Sequence, residues 1–110
     1  MEQGRIPENP QECFDQLQQE LAPEGIEAIR NSSEDDLTML HLQLGMWIRN
    51  NWGLWEGSKL AEWFRERGVE DPDDMSEIII HSFWLLLNDK PVNLEEQLKG
   101  RRGYSSYGNA

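Results

Sequence analysis

The sequence predicts an all-α protein, a compact orthogonal bundle of about five to six short helices. Three observations carry this prediction. Apolar residues recur at three- and four-residue spacing along most of the chain, helix-start signals precede these stretches, and no segment alternates in a strand period. Asn9-Pro10-Gln11-Glu12 predicts the first start, with Asn as N-cap, Pro at the first position and Glu at the third. Phe14, Leu17 and Leu21 form its face, and the helix ends near Leu21. Pro23 opens a short second helix with Ile26 and Ile29. Ser33-Glu34-Asp35-Asp36 caps a third, on which Leu37, Leu40, Leu44, Trp47 and Ile48 are expected to share the core face. Gly45 lies inside it, where a close helix crossing usually compensates its low propensity. Gly53 terminates it. Ser58 caps a fourth helix carrying Leu60, Trp63 and Phe64, stopped by Gly68. Asp71-Pro72-Asp73-Asp74 starts a fifth, with Asp74 in the position of a capping-box acid. Met75, Ile78, Ile79, Ser82, Phe83 and Leu86 form its main face, and few polar residues remain elsewhere, so it is expected to be nearly surrounded. Asn93 caps a last short helix ending at Gly100. The domain plan is an extended lead-in at 1–8, one helical domain at 9–99 and a flexible Gly/Ser/Tyr tail at 100–110.

Composition narrows the functional classes. The chain has 110 residues, 37% of them hydrophobic and 28% charged, which suits one small core with a charged exterior. The formal net charge is −11. Nucleic-acid binding through phosphate neutralisation needs clustered Lys and Arg, so none is expected. A basic protein partner fits, because opposite fields steer association. The densest acids, Glu34-Asp35-Asp36 and Glu70-Asp71-Pro72-Asp73-Asp74, also sit at helix starts, where the helix dipole alone accounts for them. The single cysteine, Cys13, excludes an intramolecular disulfide. The first residues lack a signal-type segment, and Ile78 to Leu87 is too short an apolar run to span a bilayer. A cytoplasmic location without membrane association is the expectation.

No constellation spells out a reaction. His41 and His81 lie far apart in sequence, and Cys13 has no basic neighbour to activate it. Glu77 and His81, four residues apart, suit either a shared cation or a helix-surface ion pair. The Asp71–Asp74 stretch lacks the calcium-loop pattern, and no Gly-rich phosphate loop is present. No metal and no cofactor are expected, and the sequence leans away from catalysis.

The run Trp47-Ile48-Arg49-Asn50-Asn51-Trp52-Gly53-Leu54-Trp55 holds three of the five tryptophans. One reading makes Trp47, Ile48, Trp52 and Leu54 core, with Arg49, Asn50 and Asn51 bonding free groups at a helix end. The other exposes Arg49, Asn51, Trp52 and Trp55 as a recognition patch, since Trp and Arg are enriched at interface hot spots. Both readings can hold for different rings.

Ile6-Pro7-Glu8-Asn9, Glu12-Cys13-Phe14, His41-Leu42, the string from Leu44 to Trp55 and Asp73-Asp74-Met75-Ser76 together resemble a bacterial domain family of unknown function. Its members carry "LGxWIRNxWGLW" and "PDDMS" strings. The likeness covers roughly residues 6–98. It implies a helical fold and a bacterial or phage-related source, and no activity. It also implies that His41, Arg49, Asn51, Trp52, Asp73 and Asp74 belong to one constellation, in which Arg49 pairs with Asp73 or Asp74.

The leading expectation is a non-catalytic, acidic protein-binding module of the immunity or inhibitor type, anchored by Trp52 and Trp55. The first alternative is a small enzyme or ligand-binding domain with a pocket between the third and fifth helices at His41, Arg49 and Asp74. The second is a DNA-mimicking inhibitor, which needs its acids aligned on one face.

Overall fold

Local sequence signals set the helix starts. In the computed structural model, which describes residues 6–105 and the side chains of 6–101, α1 spans Pro10–Glu20. Asn9 Oδ1 accepts from the Glu12 amide at 3.0 Å, and Glu12 Oε1 accepts from the Glu8 amide at 2.9 Å. Cys13, Phe14 and Leu17 are buried, and Phe14 stacks on Phe83 with ring centroids 6.4 Å apart. Burial pushes the Cys13 thiol up, with the Glu12 charge adding to the effect, so this sulfur is a small core group.

The second helix, α2, spans Pro23–Arg30 and buries only Ile29 fully. Three long-range bonds fasten it and the following turn to the end of α5 (Pro72–Leu87). Arg30 Nε donates to the Leu87 carbonyl (3.2 Å), Asn88 Nδ2 to the Arg30 carbonyl (3.2 Å) and Trp84 Nε1 to the Ser32 carbonyl (2.8 Å). A 3-10 turn at Glu34–Asp36 then precedes α3, Leu37–Asn51. Ser33 and Asp36 close a full capping box there. At α5, by contrast, Asp71 alone accepts from the Asp73 amide at 2.9 Å. Asp74 does not take the capping-box position the sequence predicts; its carboxylate is drawn across to Arg101.

The most extensive helix pair is α3 with α5. As its apolar surround predicts, α5 buries Met75, Ile78, Ile79, Ile80, Phe83 and Trp84, but Leu86, expected on the main face, is 39% exposed. Each such side chain contributes roughly 1.5–3 kcal/mol when fully buried. Gly45 is the close approach: a Cβ there would stand 3.0 Å from Arg49 Nη1 and 3.5 Å from Ser76 Oγ. Gly53 (φ +67°) ends α3 in the left-handed region, and Gly68 (φ +89°) follows α4, Lys59–Arg65, in the same way.

The last helix, α6, spans Leu94–Ser105, so it continues past Gly100, where the sequence predicts its end. An interior glycine costs a helix only about 1 kcal/mol, and the Arg101 guanidinium is anchored on α5 carboxylates. Residues 1–5 of the expected lead-in and 106–110 of the expected tail lie outside the described residues. The described residues hold six α-helices and no strand, which is the all-α fold the sequence predicts. Among them no helix is long and apolar enough to cross a membrane.

Candidate functional site

Helix phase brings part of the expected constellation together. Arg49, in the last turn of α3, and Asp73, in the first turn of α5, meet where the two helices pack. Arg49 Nη1 lies 3.2 Å from Asp73 Oδ1 and donates to Ser76 Oγ at 2.9 Å. This is the ion pair expected from the sequence. Ser76 in turn donates to the Asp73 carbonyl at 3.1 Å. Beside it on α5, Arg101 of α6 bridges Asp74 (2.9 Å) and Glu77 (2.7 Å). His41 belongs to the same neighbourhood, since Glu77, His81, Arg101 and Arg49 all act on its charge. Arg101 and Ser76 are members that sequence reasoning missed. No short-range spacing links Arg101 to α5.

The cluster is largely self-satisfying. Its guanidinium and carboxylate groups face one another, and only 14% of the Arg49 side chain is exposed, so Arg49 does not belong to a surface patch. Glu77 and His81 do not share the surface ion pair considered for them. Glu77 turns to Arg101, and His81 Nε2 lies 3.2 Å from Glu34 Oε2. Among the described residues no group of three or more His, Cys, Asp or Glu side chains is disposed to hold a metal ion. Four acids of the two clusters are spent on helix starts and ion pairs: Asp36 and Asp71 cap, Asp73 meets Arg49 and Asp74 meets Arg101.

His41 Nε2 and Arg49 Nε are buried and make no hydrogen bond among the described residues. Burial lowers the His41 pKa, the Glu77 carboxylate opposes that shift, and His81, Arg101 and Arg49 reinforce it. The folded chain therefore takes up this proton less readily than the unfolded chain. The His41 contribution to stability is complete above the unfolded value, about pH 6.5, and is lost as pH falls through the lowered folded value. Replacing His41 with glutamine is expected to flatten the loss of stability between neutral and mildly acidic pH, read from urea unfolding at several pH values. An unchanged slope would contradict this. Asp74 acts with the opposite sign: burial raises its pKa, Arg101 partly offsets that, and protonation at lower pH relieves a cost.

The Trp-rich run divides: Trp52 takes the core place of the first reading, and Trp47 leaves it. Trp52 is buried at 3% exposure, so it is no part of an exposed patch. Trp47, expected in the core, is 42% exposed and meets the Trp52 ring edge-on at 5.8 Å. The reason is phase. Gly45, Ile48 and Trp52 lie at three- and four-residue steps on the face toward α5, and Trp47 is rotated about 100° from Ile48. Asn51 is exposed, but its Nδ2 donates to the Trp47 carbonyl at 2.8 Å, the helix-end role. Trp55 is exposed as expected, with its Nε1 donating to Asn50 Oδ1 at 3.2 Å.

A second surface went unread in the sequence. Met39, Leu42 and Met46 project from α3 with more than half of each side chain exposed. They fall at i, i+3 and i+7, opposite Leu37 and Ile48, so α3 is apolar on its outer face as well as its inner one. That double face is visible in the spacing of Leu37, Met39, Leu42, Met46 and Ile48. Beside this row, α1, α2 and α3 enclose an open, mainly apolar cavity of about 610 Å³. Leu17, Leu21, Ile29, Leu40, Leu44 and Trp47 line it. His41, Arg49 and Asp74 do not, so this cavity is a different place from the pocket expected between the third and fifth helices.

The fold and these surfaces define a small all-α protein with a self-paired ionic cluster on one side of α3 and an open apolar surface on the other. The chain belongs to DUF6794, a domain of unknown function, whose family model matches residues 6–87. The match spans α1 to α5 and stops before α6. No curated protein and no solved structure matches the chain.

Proposed function

We propose that this chain is a non-catalytic, acidic protein-binding module that docks a basic partner on the outer face of α3. The observation that carries this reading is the exposed row Met39, Leu42 and Met46, bordered by Trp47. Contiguous exposed apolar residues beside an acidic surface mark a contact site, and Met and Trp adapt well to a partner. Trp55 stands near the end of the same helix as a further anchor. The net charge of −11 supplies the steering field for a basic protein. The ionic cluster around Arg49 supports the non-catalytic part, because its charged groups hold α3, α5 and α6 to one another. An immunity or inhibitor protein of bacterial or phage origin, acting in the cytoplasm, has this profile of size and charge. The lone buried thiol of Cys13 suits a reducing compartment.

A photo-crosslinking amino acid at Leu42 tests the reading against the same group at Glu66, which is exposed just beyond α4. A discrete protein adduct of a basic protein is expected from position 42 only. Adducts indifferent to position would remove the docking surface.

A further inference from the structure

We propose that the cavity between α1, α2 and α3 seats a cationic amphipathic helix of the partner protein. This rests on the protein-binding reading and names the element recognised. The shape is the first argument. Gly25, Ala28 and Ile29 of α2, with Ser32 in the turn just after it, line one wall, and Leu40, Leu44 and Trp47 line the other from α3. Each wall covers residues seven apart, about 10 Å of helix axis. That is the length presented by apolar anchors at i, i+4 and i+7 of a docked helix. Gly25 and Ala28 keep the α2 wall low: a Cβ at Gly25 would meet nothing within 4 Å.

Charge is the second argument. Glu20 is the charged residue in the lining, and no lysine or arginine accompanies it there. Its carboxylate has the Gln16 amide at 3.4 Å and no salt bridge among the described residues. On α2, the residue before Gly25 adds a further exposed acid, Glu24. The Arg30 guanidinium, at the end of α2, is taken by Glu27 and the Leu87 carbonyl. An apolar trough with the Glu20 carboxylate unpaired by any cation among the described residues fits a helix bearing Leu-type anchors and flanking Lys or Arg.

The test uses the full chain, isotope-labelled, titrated with an 18-residue Leu/Lys peptide patterned with Leu at i, i+3, i+4 and i+7. The same peptide with Glu in place of Lys, decanoate and decylamine serve as comparisons. The Leu/Lys peptide is expected to shift the Trp47 indole and the Leu40 and Leu44 methyl signals. Gly25→Leu puts a side chain into the trough at a position where a Cβ meets nothing within 4 Å, so it is expected to weaken this binding at least tenfold while leaving the melting temperature equal or higher. Glu20→Gln is expected to weaken it several-fold. Equal binding of the Leu/Glu peptide would overturn the cationic assignment. Binding of decanoate or decylamine without the peptide would make the cavity a small-molecule site. A peptide-free, concentration-dependent shift of the same signals would assign the trough to a second copy of the chain. Shifts confined to Met39, Leu42 and Met46 would overturn the trough while leaving the protein-binding reading intact. No binding to either place would count against both.

Discussion

Trp52→Ala is expected to destabilise the protein by about 3–5 kcal/mol, the range for emptying a buried aromatic site. The ring is 3% exposed and carries the edge of Trp47 against it, so its removal leaves a cavity and strips Trp47 of its support. Trp55→Ala, a few residues on, is expected to change stability by less than about 1 kcal/mol, because that ring is 57% exposed. Urea unfolding of the two variants measures the contrast directly. Equal losses would mean that the run is not divided into a core ring and a surface ring.

Gly53→Val is expected to cost about 2–4 kcal/mol. A left-handed backbone costs a residue with a Cβ roughly 1–2 kcal/mol, and more for a β-branched one. The Cβ would also stand 2.9 Å from the Ser58 Cβ. Ser58 is the N-cap of α4, its Oγ accepting from the Ala61 amide at 3.1 Å, and displacing it puts about 1 kcal/mol of capping at risk. Gly57 provides the control. A Cβ there meets nothing within 4 Å, so Gly57→Val is expected to stay within about 0.5 kcal/mol of the parent. A comparable loss at both glycines would show that loop composition matters here, and not the turn at Gly53.

What the sequence made legible follows the range of the forces involved. Helix starts depend on a few consecutive residues, so Asn9-Pro10, Ser33, Ser58 and Asp71-Pro72 announced α1, α3, α4 and α5. The Arg49–Asp73 contact was also legible, because a short bundle brings the end of α3 to the start of α5. The orientation of Trp47 and Trp52 was not. Large apolar residues fall on more than one side of α3, so periodicity alone selects no face. Packing of Gly45 and Ile48 against α5 makes the selection. Arg101 escaped notice because its partners lie 24 and 27 residues away and the glycine before it reads as a stop. The cavity escaped because it belongs to the gap among three helices, and none of them carries its signature separately.

The central claim is that the outer face of α3 is where a basic partner docks. The most direct measurement is titration calorimetry of the protein trapped at position 42 against the parent chain and the Leu42→Asp/Met46→Asp variant. Both side chains are exposed, so the variant is expected to unfold at the parental urea concentration while its dissociation constant rises at least tenfold. An unchanged dissociation constant in a normally folded variant would contradict the account.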